Sequence, residues 1–147
     1  MESSEFMKPS KILLFSLLFP LTSIAQVMDS RVTQENLPQT ICSASPLWKT
    51  SARRPPASYT NKYKYAFLQA KGLPKSDASK YELDHIIAIE DGGHPKDPKN
   101  FQLQPWNGPK GAHAKDVQEN AWHKKLCSGE VTLQQMQEYF TTNWIVK

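Results

Sequence analysis

A chain of 147 residues carrying 18 Lys and Arg against 14 Asp and Glu, a formal net charge of +4, has the length of one domain rather than several. Its pI near 9.0 favours a polyanionic partner only mildly, so charge alone carries no nucleic-acid claim. Two cysteines are too few for a four-ligand zinc site of their own.

In chain order, the basic stretch Lys8-Pro9-Ser10-Lys11 precedes an apolar run over residues 12–19, which Pro20 breaks before the small-x-small triplet Ser23-Ile24-Ala25. A basic start, a short apolar middle and small residues at the end predict a signal peptide over residues 1–25, cleaved before Gln26. Residues 1–6 precede a second Met and read as a cloning remnant or an upstream start. The run is well short of the roughly 20 apolar residues that a span needs. No Cys follows the cleavage point to carry a lipid, so no membrane anchor is expected after cleavage. The expected location is exported, periplasmic or secreted. Losing this leader removes two basic and two acidic residues and leaves the excess unchanged.

In an oxidising compartment Cys42 and Cys127 are expected to form a disulfide that ties the N-terminal segment to a C-terminal helix. Residues 26–57 are polar and broken by Pro38, Pro46, Pro55 and Pro56, and read as an extended arm held by Cys42, Ile41, Leu47 and Trp48. A helix capped by Ser58 or Thr60 should run to Lys71, with Tyr59, Tyr63, Phe67 and Ala70 at near-helical spacing. Residues 81–87 form a strand candidate, Asp91-Gly92-Gly93 a loop, and Phe101-Gln102-Leu103-Gln104 a second strand. A helix over Ala112 to Cys127 should bury Val117, Ala121, Trp122 and Leu126. Thr132 with Gln135 makes a capping box for a last helix whose inner face is Leu133, Met136, Phe140 and Trp144.

The chemistry concentrates at Asp84-His85. Phosphodiester hydrolysis needs an activated water and neutralised phosphate charge; a neutral imidazole supplies the first, and a cation held by hard oxygens supplies the second. Adjacent residues on a regular strand point to opposite faces, so the pair can converge only where the strand ends or bends. Asn100 stands where it can brace the intervening loop or orient the imidazole.

The series Asp84-His85-Ile86-Ile87, Gly92-Gly93, Asn100-Phe101 and Asn107-Gly108-Pro109-Lys110-Gly111 resembles the HNH, or ββα-metal, endonuclease motif. Thr40-Ile41-Cys42, Arg54-Pro55-Pro56, Ser58-Tyr59-Thr60, Tyr81-Glu82, Lys115-Asp116, His123, Cys127-Ser128-Gly129 and Trp144 resemble the wider context of small exported bacterial members. The resemblance implies an α+β fold: a two-stranded antiparallel hairpin plus helix, embedded among helices, with the nuclease domain over residues 58–147. It implies His85 as general base, Asn100 as the residue holding its loop, and Asp84 as a metal ligand. Asn107 is the preferred helix-side ligand; His113 fits the spacing seen in bacteriocin nucleases. The implied cofactor is a divalent metal, Mg2+ first, with Mn2+ or Zn2+ as alternatives. Lys110, Arg53 and Arg54 are the candidate phosphate contacts. The family's usual Pro three residues after the His is Ala88 here, which bears on the loop's rigidity.

The expected activity is metal-dependent, weakly sequence-specific cleavage of DNA, and of RNA as a second substrate, by a monomer. The rival expectation is a module without catalysis that binds nucleic acid or envelope polyanions. Asp116, Glu119 and His123 share a helix face and are expected to form salt bridges, with His123 near the disulfide.

Overall fold

A computed structural model describes residues 27–146; the expected leader over residues 1–25 lies outside the described residues. Residues 27–57 are not an extended arm. Val27, Met28, Val32, Leu37 and Ile41 are all buried in the main core, while Leu47 projects into solvent. Met28 forms an isolated antiparallel bridge with Gly93, closed by Asp29 N to Gly92 O at 2.8 Å and His94 N to Val27 O at 2.8 Å. The prolines suggest a loose segment, but Pro38 and Pro46 sit at the starts of short 3-10 turns, Leu37–Gln39 and Pro46–Trp48, where a missing N–H costs nothing, and Pro56 leads directly into the helix that follows it.

Helix α1 (Thr50–Arg53) is a single turn. Helix α2 (Ala57–Ala70) starts directly after Pro56, whose carbonyl accepts from the Tyr59 and Thr60 amides at 2.9 and 3.2 Å; no Ser58 or Thr60 side chain caps it. Strand β1 (Tyr81–His85) pairs antiparallel with β2 (Phe101–Pro105), with Leu83 opposite Leu103 and His85 opposite Phe101. The period of two divides this hairpin sharply. Leu83, Leu103, Phe101 and His85 lie on one face, where Tyr63 of α2 reaches Phe101 at 5.4 Å between ring centres. Glu82, Asp84, Gln102 and Gln104 occupy the other face.

That second face is polar yet covered. Helix α3 (Ala112–Ser128) lies on the same side and buries Ala112, Lys115, Glu119 and Leu126, while Val117 is 64% exposed. Of the expected apolar stripe, Leu126 is buried and Trp122 packs against the core, but Val117 is not part of it: the surface opposite the first half of α3 is carboxylate and amide, so the helix turns a Lys and a Glu to it. Gln102 and Gln104 are satisfied by the carbonyls of Trp144 and Lys110 at 3.0 and 2.8 Å.

Helix α4 (Leu133–Asn143) follows a complete Thr132–Gln135 capping box, and Leu133, Met136, Phe140 and Trp144 are buried as their spacing predicts. Cys42 and Cys127 are bonded, with a sequence separation of 85 and a Cα–Cα distance of 5.4 Å. The fold is thus α+β: a two-stranded antiparallel hairpin among helices, with one disulfide. Among the described residues no helix is long and apolar enough to cross a membrane.

Candidate active site

The hairpin strands are linked by a loop whose shape is set from inside. Asn100, with no exposed surface, accepts from the Ile87 amide through Oδ1 at 2.9 Å and donates through Nδ2 to the Ile87 and His94 carbonyls at 3.0 and 3.1 Å. One side chain thereby joins both limbs of the loop. Gly93 must be glycine, because a Cβ there would stand 1.9 Å from the Ile87 carbonyl oxygen. Gly92 has φ of +89°, in the left-handed region that L side chains rarely adopt. His94 is a brace as well: its Nδ1 accepts from the Lys96 and Asp97 amides at 3.1 and 2.9 Å.

β1 stops at His85, and this termination lets Asp84 and His85 line one cavity despite their adjacency. The cavity, about 360 Å³, lies between α1, β1, the turn Ile89–Asp91 and α3. His85 is buried and packs edge-on against Phe101, with ring centres 5.0 Å apart. Its Nε2 is 3.1 Å from the Pro95 carbonyl oxygen. A carbonyl only accepts, so Nε2 carries the proton and Nδ1 keeps the lone pair. Burial lowers the His85 pKa, outweighing the Pro95 hydrogen bond and the neighbouring Asp84, and so favours the neutral ring. That is the state a general base requires.

The remaining lining is acidic. Glu82, Glu90, Asp116 and Glu119 join Asp84, and Arg54 is the one Lys or Arg among the lining residues. Burial, with the charges of Asp84 and Asp116, pushes Glu82 up to about 7. Asp116 is raised by burial and by Asp84. Behind the cavity lies Lys115, whose side chain is 1% exposed. Its Nζ donates to the His85 carbonyl at 2.7 Å and to Glu119 Oε1, and stands 2.8 Å from Asp84 Oδ2, an ion contact whose angle falls short of a directed hydrogen bond. Burial works against the ammonium, but Asp84 and Glu119 more than offset it and raise its pKa. Glu119 is pushed up to about 8, chiefly by burial, against the pull of Lys115.

Of the other expected site residues, Arg54 reaches the cavity and the rest are placed elsewhere. Asn107 and His113 do not line the cavity; Asn107 is exposed, and His113 is exposed with its ring 5.3 Å from that of Trp106. Lys110 donates to the Asn143 carbonyl at 2.8 Å and lies 4.7 Å from the centre of the Trp144 ring. Arg53 is not a surface residue: it is buried, donating to Asp29 Oδ2 at 2.8 Å and to the Ile89 carbonyl at 2.9 Å. Arg54 is exposed and reaches the cavity. His123 bonds the fully buried Asp91 at 3.1 Å, and its Nε2 is 3.7 Å from Cys127 Sγ, as expected beside the disulfide.

The implied metal can be tested against this donor set. Asp84, Asn107 and His113 are not assembled, and among the described residues no group of three or more His, Cys, Asp or Glu side chains is arranged to hold a metal ion. The Asp84 carboxylate faces an ammonium instead. The residues around Asp84 therefore do not fit a divalent cation. Glu82 and Lys115, which the resemblance includes but to which it gives no role, are central to the site. Their signal was the alternation Glu82-x-Asp84 on one strand face and the Lys115/Glu119 pair one helical turn apart.

Comparison of the chain with protein-family models, with curated proteins and with solved structures finds no match.

Proposed function

We propose that the chain is an exported endonuclease that hydrolyses phosphodiester bonds of DNA, and of RNA as a second substrate, with His85 as its general base. The observation that carries this reading is the shared cavity of Asp84, His85 and Arg54, with the His85 proton anchored on Nε2 by Pro95. Nδ1 of His85 takes a proton from water; the water oxygen bonds to phosphorus, the bond to the leaving oxygen breaks, and that oxygen takes a proton from solvent. Arg54 meets the non-bridging oxygens, a role suited to a guanidinium. Asn100 holds the loop that positions the His85 ring, so it is a positioning residue. Contacts of this kind go to the backbone, which makes cleavage weakly sequence-specific and salt-sensitive.

Five lining carboxylates would repel a phosphate if all were ionised. Glu82, raised to about 7, carries a proton over much of the neutral range, and Glu119 is neutralised by the Lys115 ammonium, so the repulsion is reduced. No step is routed through the divalent ion that the HNH resemblance implies. The acidic lining, beside a net charge of +4, favours a second reading, a module that binds polyanions outside this cavity without cleaving them.

The test is nicking of supercoiled plasmid by the oxidised protein and by His85→Ala, in EDTA and with Mg2+, Mn2+ or Zn2+. Nicking that disappears in His85→Ala supports the hydrolase. Retention of plasmid with no nicking under every condition supports the binding module.

A further inference from the structure

The surroundings of Lys115 are those of a metal ion rather than of an ordinary lysine. Its ammonium is fully buried and meets three oxygens: Asp84 Oδ2, Glu119 Oε1 and the His85 carbonyl. Two carboxylates and a backbone carbonyl are the hard donors that a divalent cation collects. The ring of Phe140 closes the site from behind, with its centre 5.5 Å from Nζ. The charge cannot diffuse away, because Lys115 belongs to α3 and its side chain is fixed at both ends. It is tied to the backbone of His85 and the carboxylate of Asp84, the two residues that line the cavity.

We propose that the cation this site uses beside Asp84 is the chain's own Lys115 ammonium, occupying a cluster of oxygens of the kind that collects a divalent metal. The position of the charge stands on the contacts above; its use in catalysis rests on the phosphodiesterase reading. Lys115 is then a positioning residue: it orients Asp84, pins the His85 carbonyl and keeps a positive charge behind the acidic cavity. No turnover step depends on metal from solution.

The experiment uses MnCl2 as probe and reads thermal unfolding alongside free Mn2+ by electron paramagnetic resonance, a readout independent of activity. The wild-type chain should show no Mn2+-dependent rise in Tm. Lys115→Ala should unfold at a lower temperature and recover with millimolar Mn2+, because the vacated oxygens now take the ion. The double variant Lys115→Ala/Glu119→Gln, short of one carboxylate, should lose most of that recovery. Oxygens that are not arranged as a cation site would leave Lys115→Ala indifferent to Mn2+, and that result in a folded variant would overturn the proposal. So would Mn2+ binding by the wild type that vanishes in Asp84→Asn, a comparison that decides the matter even where Lys115→Ala does not fold. Plasmid nicking separates the two readings. Nicking by wild type in EDTA supports both; nicking only with added metal overturns the Lys115 assignment and leaves the hydrolase. No nicking at all, with the Mn2+ pattern as expected, leaves Lys115 in place and removes the hydrolase.

Discussion

Replacing Asn100 by Ala tests the physical basis of the site without reference to catalysis. Asn100 and Ile87 both have no exposed surface, so the Ile87 N–H and C=O that Asn100 satisfies at 2.9 and 3.0 Å have no water to turn to. The His94 carbonyl, bonded at 3.1 Å, is only half-buried and can be resolvated. Orphaning a buried backbone group costs about 1 to 3 kcal/mol, so the two at Ile87 set an expected loss of about 2 to 6 kcal/mol. For a domain of this size that lowers Tm by roughly 10 to 20 °C. Asn100→Asp is the sharper control. It has the same shape and keeps the acceptor for the Ile87 amide, but sets a carboxylate oxygen against two carbonyls; it should be destabilised at least as much as Asn100→Ala. Urea unfolding followed by circular dichroism measures both. A loss below about 1 kcal/mol in Asn100→Ala, or an Asn100→Asp variant as stable as wild type, would refute the assignment of Asn100 as the loop's internal tie.

Three further outcomes follow from other contacts. Gly93→Ala forces a Cβ to within 1.9 Å of the Ile87 carbonyl oxygen and 2.7 Å of Asn100 Nδ2, whereas Gly129→Ala meets open space and only a left-handed backbone. Gly129→Ala should cost about 1 to 2 kcal/mol and Gly93→Ala clearly more, as compared by Tm. Stability should fall as pH rises from about 4.5 to 7, because Glu82 and Asp91 have folded pKa values raised to about 7 and 6 and the native state holds their protons more tightly than the unfolded chain. His123, raised by Asp91, adds stability that is full below the unfolded His value and lost as pH climbs through the folded one; His85, lowered by burial, opposes the trend below that value. Urea midpoints across this range should flatten in Glu82→Gln between pH 5 and 7, and an unchanged slope there would contradict the burial of Glu82. Reducing the Cys42–Cys127 bond opens a loop of 85 residues' separation and should cost about 4 to 5 kcal/mol, read as the shift in urea midpoint with a phosphine reductant.

Local pattern carried much of the architecture. The alternation in Phe101-Gln102-Leu103-Gln104, the capping box at Thr132 and the spacing of Leu133, Met136 and Phe140 are statements about short-range geometry, and the folded chain keeps them. Asn100 as a brace was legible for the same reason: a buried amide between two limbs of a glycine loop has few other uses. Val117 and the arm over residues 26–57 were misread because their placement depends on what lies opposite. The period of α3 allows several faces to be buried, and only the carboxylates across from it select the Lys115 and Glu119 face. Likewise Arg53 and Arg54 are neighbours of one residue type, yet the first is buried on Asp29 and the second faces the cavity.

The amino-acid order by itself determined the hairpin, the glycine loop, the last helix and the cysteine pair, because each depends on residues a few positions apart or on two thiols with no other partners. Tertiary packing alone decided which charge meets Asp84. That choice is made by residues on separate elements, and the contact of a buried carboxylate with an ammonium exists only once water has been excluded from between them.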